Sequence, residues 1–406
     1  MARFIDLGIS VFDDAFTLDP FPYLEDLYGA REVLGFCSEG MNFLFRFEQC
    51  RHVIRSDRYR RPGPESAGLR LLEERYASLY PDRAWFLQRS YTQGTPNLAF
   101  KAALGRFIGT LADSPALVGL DAVLPDVTAS QGGGDYIDAI ATLPLRIFLD
   151  TCQLPYDAGQ VQALHAAGQD WLKSFENYHD HALLAQGDRG MATLRAFLSE
   201  RFDGISPRSP LQPLTVAGRA AGLDDAALIA NIAGIFLAGM SNTAGMSSGF
   251  MLRTLLHHPP AWRALRDNPA LALDERVITE LLRRDNHVKA LARMAIEPDT
   301  IDQFPIAAGE IVYLFFPGIN RDPAQWGDPA TLALDRDFNS DNNLVFGGAQ
   351  YTCIGRKLTM AFMRHMLDGF ARHLPANARI DDADIGMDGA WVAERIITRL
   401  PVELAA

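Results

Sequence analysis

The chain has 406 residues, 48% hydrophobic and 22% charged, which is ordinary for a globular protein. Its formal net charge of −12 argues against nucleic acid and anionic membrane surfaces as partners. The four cysteines, Cys37, Cys50, Cys152 and Cys353, show no paired spacing, which argues against a disulfide framework and fits a reducing, cytoplasmic compartment.

The first twenty residues carry Asp6, Asp13, Asp14 and Asp19 and read as neither signal peptide nor anchor. No stretch reaches ~18 uninterrupted apolar residues, the rough length of a membrane span. Residues 23–28 read as helical. The alternation Met41, Phe43, Phe45, Phe47 reads as a strand of a small sheet, and a hairpin and helix follow over 46–55. Residues 60–95 are irregular around a helical middle that carries Trp85, Phe86 and Tyr91. Leu98, Phe100, Leu104, Phe107 and Ile108 predict an amphipathic helix over 97–112. Gly132-Gly-Gly134 lacks the spacing and the lysine of a phosphate-binding loop. Residues 136–205 alternate helical runs with short breaks. His179 and His181 stand two apart there with no obvious third ligand, so a loop or lid suits them better than a metal. Residues 203–223, rich in Gly, Pro and Ser, predict the longest unstructured connection.

From Asp224 to about His257 runs the longest helical pattern, with Asp224 or Asp225 able to cap its start and Pro259-Pro260 ending the segment. Its middle is almost uniformly apolar or small, which predicts burial on most sides. Glu280 and Arg283 stand three apart on one helix face, so their side chains can meet. Further on, Phe346-Gly-Gly-Ala-Gln-Tyr-Thr-Cys353-Ile-Gly355 delivers one cysteine through a glycine-rich turn to the start of an apolar-periodic helix. A thiolate there would sit near the positive end of a helix dipole. Taken alone, the same residues suit a strand-to-helix turn with a buried cysteine.

The order Phe346, Cys353, Gly355 resembles the heme-ligand loop of the cytochrome P450 family. Glu280-Leu-Leu-Arg283 resembles that family's Glu-x-x-Arg. Asn320-Arg-Asp-Pro323, Asp328-Pro329 and Arg336 resemble its meander. A length of 406 residues would by itself suggest two or three domains, yet no linker divides the chain. The resemblance implies a mainly α fold instead. Residues 1–406 would form a single heme-thiolate domain, helix-rich with small β-sheets, with the heme between the long central helix and the cysteine-loop helix.

The resemblance also assigns roles. Cys353 is the implied iron ligand of heme b. Phe346, Gly347, Tyr351 and Gly355 accompany it in the loop, and Arg293 is the implied propionate cation. Residues 97–112 offer only Lys101 and Arg106 where the family usually supplies a His and an Arg. Tyr351, Asn343 and Ala349 stand where a basic residue, a histidine and a glycine are usual; Tyr351 and Asn343 can hydrogen-bond a propionate but carry no charge. Glu280, Arg283 and Arg336 form an implied structural network. Ala238-Gly-Met-Ser-Asn-Thr243 resembles the oxygen-activation stretch of the central helix. Ala238 and Gly239 agree with the family. Ser241 replaces the acid and Asn242 the first threonine, while Thr243 matches the second, so Ser241, Asn242 and Thr243 are the candidate catalytic residues. Asn242 is not a proton source. Relay through water or substrate, peroxide-driven chemistry, phenol coupling and a dehydratase- or isomerase-type reaction therefore all stay open; a register slip by one would give Thr243 the usual work.

Pocket walls are expected from Ile235, Phe236, Ala238, Gly239 and Asn242, then Val288, Leu291 and Ala292, then Trp391, Val392 and Ala393; Trp85, Phe86 and Tyr91 are further candidates. The resulting expectation is a monooxygenase or related oxidoreductase of the soluble bacterial type, suited to secondary metabolism. It would act on a small-to-medium apolar or aromatic molecule. Electrons would come from a separate ferredoxin- or reductase-type donor docking near Arg356, Lys357 and Arg364.

Overall fold

The computed structural model describes residues 3–62, 75–90, 98–117, 134–176, 180–240 and 243–404. The chain divides into two compact units.

The first unit comprises residues 1–62, 246–353 and 375–406. Its six-stranded sheet runs in the order Phe4–Asp6, Gly35–Ser38, Met41–Leu44, Ile311–Phe315, Ala290–Ala295 and Tyr59–Arg60. The strand expected over Met41 to Phe47 stops at Leu44, and Phe47 instead opens the helix Phe47–Arg55. The switch has a partner in the chain, because Asp322 Oδ2 accepts from the Phe47 N–H at 2.8 Å and satisfies an orphan donor of the first turn. In the expected helical stretch 23–28, only the short 3₁₀ turns Phe21–Tyr23 and Glu25–Leu27 form. Among the described residues, one apolar cluster of the unit gathers around Phe47, Val53, Leu314 and Trp326 and another around Phe16, Phe36, Phe43 and Phe315.

A polar network closes the same unit. Buried Asp285 pairs with Arg395 and, at 2.6 Å, with Arg253. Arg253 also reaches Asp382 at 2.6 Å, and His257 reaches it at 2.8 Å. Partial burial acts to raise the Asp382 carboxyl, but hydrogen bonds from His257 and Arg253 outweigh it and hold the group well below the usual carboxylate range. A depressed folded value stabilises the protein above the unfolded Asp value of about 3.9, and that contribution fades as pH falls through the folded value. Melting curves between neutral and strongly acid pH will therefore show Asp382→Asn less stable than wild type at neutrality. The gap will close under strong acid.

The second unit comprises residues 63–245 and 354–374. It is helical, with long elements Leu98–Ala112, Ala158–Glu176, His181–Phe202 and Arg356–His373. Gly190 lets two of these helices approach closely, since a Cβ there would stand 2.5 Å from the Ala167 carbonyl oxygen. Residues 203–223 are not the unbroken connection that their composition suggests: Leu211–Ala220 is a helix. Pro213 sits in its first turn, where a missing N–H costs nothing, and Gly218 faces Leu228 and Phe100.

Asp224 caps the central helix, its Oδ1 accepting from the Ala227 N–H at 2.7 Å. The run is not uniform. An α-helix over Asp225–Ile235 gives way to a π-helical turn over Phe236–Met240, and α-helix resumes at Thr243–Leu256. π turns widen the backbone locally and are frequent at functional sites. By length and composition this run is apolar enough to cross a membrane, yet 64% of its most apolar window is buried in protein, as in a core helix.

Candidate functional site

In the first unit, the loop before Cys353 is built by its own backbone. The Cys353 N–H donates to the Phe346 carbonyl at 2.8 Å, Gly347 N–H donates to Leu344 O at 2.8 Å, and Tyr351 N–H to Gly348 O at 3.0 Å. Gly347 adopts φ +72°, and a Cβ there would stand 2.6 Å from Tyr351 O, so only glycine fits. Asn343 uses its Oδ1 to accept from Val345 N–H at 2.9 Å, which makes it a turn residue. The Cys353 side chain is exposed. Gly355 precedes the helix Arg356–His373 at its N-cap position.

Ala349 occupies the position where the resembled family usually has glycine, and it adopts φ +49°. A side chain in the left-handed region costs ~1–2 kcal/mol. Ala349→Gly removes that cost, partly offset by glycine's greater unfolded-state entropy. The expected net gain is about 0.5–1 kcal/mol, read as a higher urea midpoint.

Arg293 lies in the strand Ala290–Ala295, paired with Val312, and is 3% exposed. Its Nη1 donates to Ala292 O at 2.8 Å, its guanidinium lies 4.3 Å from the Tyr351 ring centroid, and its Nε has no partner. Burial and then the nearby Arg61 push its pKa down to about 10, against a favourable effect of Tyr351. A buried cation with an unmet donor suits an anionic group, and the carboxylate of a heme propionate has that chemistry. Tyr351 contributes its ring to this arrangement. Its hydroxyl proton goes to Tyr59 O at 2.7 Å, so the phenol is not free to donate to a propionate as its position suggested.

Arg293→Met separates the two roles. Removing an unmet buried donor leaves the heme-free protein as stable or more stable by about 1 kcal/mol. Loss of the cation speeds heme transfer to an apo-globin acceptor by at least about tenfold. Melting of the heme-free protein and the transfer rate check the pair.

The Glu280 trio is brought together. Arg283 donates to Glu280 through Nε at 2.7 Å and Nη2 at 2.8 Å, and Arg336 Nε donates to it at 3.0 Å. The Glu280 and Arg283 side chains are both 0% exposed, so this is no surface pair. Arg283 Nη1 also donates to Asn320 O at 2.7 Å, which ties the helix Glu275–Arg284 to the segment after Asn320.

Of the expected pocket residues of this unit, Val288 and Ala393 lie on segments that pair with each other. Val288 bridges Glu394, Lys289 N–H donates to Ala393 O at 2.7 Å, and Arg395 N–H to His287 O at 2.6 Å. Val288, Leu291 and Ala292 are half-buried, while Trp391 and Val392 are buried.

In the second unit, Ile235 and Phe236 are buried at the start of the π turn, whereas Ala238 is exposed within it. Among the described residues, nothing beyond its chain neighbours and its own helix backbone lies within 4 Å of where a Cβ on Gly239 would stand. Ser241 and Asn242 lie outside the described residues, and Thr243 is the first residue of the resumed helix. Trp85 and Phe86 are buried, Phe86 edge-on to Trp171 with centroids 4.8 Å apart; Tyr91 lies outside the described residues. His181 opens its helix with Nδ1 2.6 Å from the Tyr80 hydroxyl, and His179 lies outside the described residues. Lys101 and Arg106 are exposed on their helix. Of the cations in the expected docking patch, Lys357 is paired with Asp113 at 2.7 Å.

The polar clamp on the C-terminal turn, made by Lys289 and Arg395, had no sequence forewarning. Neither side chain belongs to a local motif, and their partners lie about a hundred residues or more away.

Comparison with known proteins agrees with this geometry. The family model Cytochrome P450 matches residues 169–376, just over half of the chain. The 20-oxo-5-O-mycaminosyltylactone 23-monooxygenase of Streptomyces fradiae is 28% identical over 266 residues, covering 63% of this chain and 58% of the relative. The beta-dihydromenaquinone-9 omega-hydroxylase of Mycobacterium bovis is 30% identical over 228 residues, covering 54% of this chain and 44% of the relative. The matches thus span less than two thirds of either relative. Among solved structures, epothilone B-bound cytochrome P450epoK superposes with a TM-score of 0.82 at 22% identity, covering 98% of this chain and 100% of that one. P450BioI in complex with a fatty-acid-ligated acyl carrier protein gives 0.80 at 17% identity, covering 96% and 100%.

Proposed function

Because this chain belongs to the cytochrome P450 family, whose cofactor is a heme held by a cysteine thiolate, we propose that it is a cytoplasmic monooxygenase acting on a small-to-medium apolar or aromatic molecule. Residues 1–406 would act as one heme-thiolate domain, reduced by a separate ferredoxin- or reductase-type donor. The observation that carries the reading is the pairing, in one unit, of an exposed Cys353 on a backbone-closed loop with a buried, under-partnered Arg293. The relatives' names, a 20-oxo-5-O-mycaminosyltylactone 23-monooxygenase and a beta-dihydromenaquinone-9 omega-hydroxylase, support oxygenation of an organic substrate.

When bound, thiolate-ligated heme supplies reductive dioxygen activation, with one oxygen atom entering the substrate and the other leaving as water. The Cys353 sulfur would hold the iron and donate electron density to it, and the bond from the Cys353 N–H to Phe346 O holds the loop that would present it. Arg293 would hold a propionate carboxylate. Val288, Leu291, Ala292 and Val392 orient an apolar substrate and keep bulk water away. Two protons must be delivered per turnover. The Ser241 Oγ and Thr243 Oγ1 hydroxyls can accept and pass a proton, while Asn242 Nδ2 can only orient a water by donating to it.

The test supplies two oxidants to one panel of aromatic, terpene and fatty compounds. One arm has oxygen with a surrogate reductase pair; the other has peroxide alone. The proposal expects product in the oxygen arm. Product with peroxide only would mean that Ser241, Asn242 and Thr243 do not deliver protons and that the reaction bypasses them.

A further inference from the structure

Lys289 is 2% exposed, a costly place for an ammonium unless its donors are met. It donates to Trp391 O at 2.9 Å, to Gly389 O at 3.4 Å and to Thr17 Oγ1 at 3.1 Å, and its Nζ lies 5.6 Å from the Phe12 ring centroid. Two of the three acceptors are carbonyls of the turn that carries Trp391 and Val392. The third side chain, Thr17, is itself fixed: Thr17 Oγ1 donates to Val11 O at 3.3 Å, and Thr17 O accepts from Arg395 Nε at 2.7 Å. Gly389 packs so closely that a Cβ there would stand 2.0 Å from Phe12 O, and Gly389 N–H donates to Asp14 Oδ1 at 2.8 Å. The C-terminal turn is thus held between the segment at 12–17 and the start of the strand at 290, with Lys289 as the polar pin.

We propose that Lys289 is a positioning residue for substrate specificity: its ammonium sets where the Trp391–Val392 turn stands against Val288, and so fixes the size of molecule the pocket accepts. This rests on the reading that Val288 and Val392 are pocket walls. Lys289 does not touch the substrate. Three donors on a short radius define the turn's position in three directions, which a packed methyl group cannot do. Removing the ammonium strands two buried carbonyls, and the turn relaxes to find other donors. The wall moves with it. Small displacements of a pocket wall discriminate between ligands that differ by a few atoms.

The experiment uses heme-loaded full-length protein and two nitrogenous iron ligands, imidazole and 1-phenylimidazole, each titrated by the red shift of the Soret band. Imidazole reports an accessible iron; the phenyl group reports the wall. Lys289→Met is expected to change the ratio of the two dissociation constants by about fivefold or more. Thr17→Val, which removes one acceptor and keeps the fold should Lys289→Met not assemble, is expected to move the ratio in the same direction by about twofold. A role confined to stability would lower the melting temperature and leave the ratio at the wild-type value. That result, with imidazole binding intact, would overturn the assignment of Lys289. Absence of any imidazole shift in the wild-type protein would overturn the heme-site reading, and with it this one.

Discussion

Cys353→Ala abolishes turnover, lowering product formation at least about a thousandfold, because no other residue supplies the thiolate's electron donation to the iron. The substitution does so without unfolding the protein. Cys353 is exposed and its backbone N–H closes the loop onto Phe346, so the stability of the heme-free chain is expected to stay within about 0.5 kcal/mol of wild type. The two measurements belong together: heme-supplied turnover and urea unfolding of the heme-free variant. An active Cys353→Ala protein would remove the ligand assignment. A variant unfolded without heme would show that the loop depends on the sulfur for its shape.

Glu280→Ala has the largest expected effect on stability, a loss of about 3–5 kcal/mol. The carboxylate accepts from Arg283, Arg336 and the Ala333 N–H at 3.0 Å, so its removal leaves Arg283 buried without a counter-charge. Trp326 worsens the problem. The Arg283 guanidinium lies 5.1 Å from its ring centroid and the Arg336 guanidinium 5.6 Å, so two cations share one aromatic ring with Glu280 as their common anion. Urea unfolding of the heme-free protein reads the loss. A value below about 1 kcal/mol would mean that the trio behaves like an exposed pair.

Much of this arrangement was legible in the sequence, for a physical reason. The cysteine loop is short, and its geometry is fixed by contacts between residues within ten positions of one another, so its spacing survives as a pattern. Glu280 and Arg283 were legible because helical periodicity alone brings positions three apart together. The central helix was read as one continuous element because a wholly apolar run gives no mark where α-helix yields to a π turn; the change at Phe236–Met240 lies in backbone hydrogen bonding. The helix Leu211–Ala220 was hidden by Pro210 and Pro213, which signal a break in general but are harmless at a helix start. Tyr351 was read by position as a propionate donor, and only the fold reveals that Tyr59 O takes its proton. Lys289 and Arg395 were silent because a lone cation in an apolar stretch reads as exposed; their acceptors include backbone carbonyls far away in sequence, which meet them only in the folded state.

The most direct measurement is the absorption spectrum of the unaltered protein, loaded with heme, reduced and exposed to carbon monoxide. Thiolate ligation by Cys353 predicts a Soret band red-shifted well beyond that of histidine-ligated heme, lost on Cys353→Ala. A band at the histidine-ligated position in the freshly prepared wild-type protein, or a red-shifted band that persists in Cys353→Ala, would contradict it.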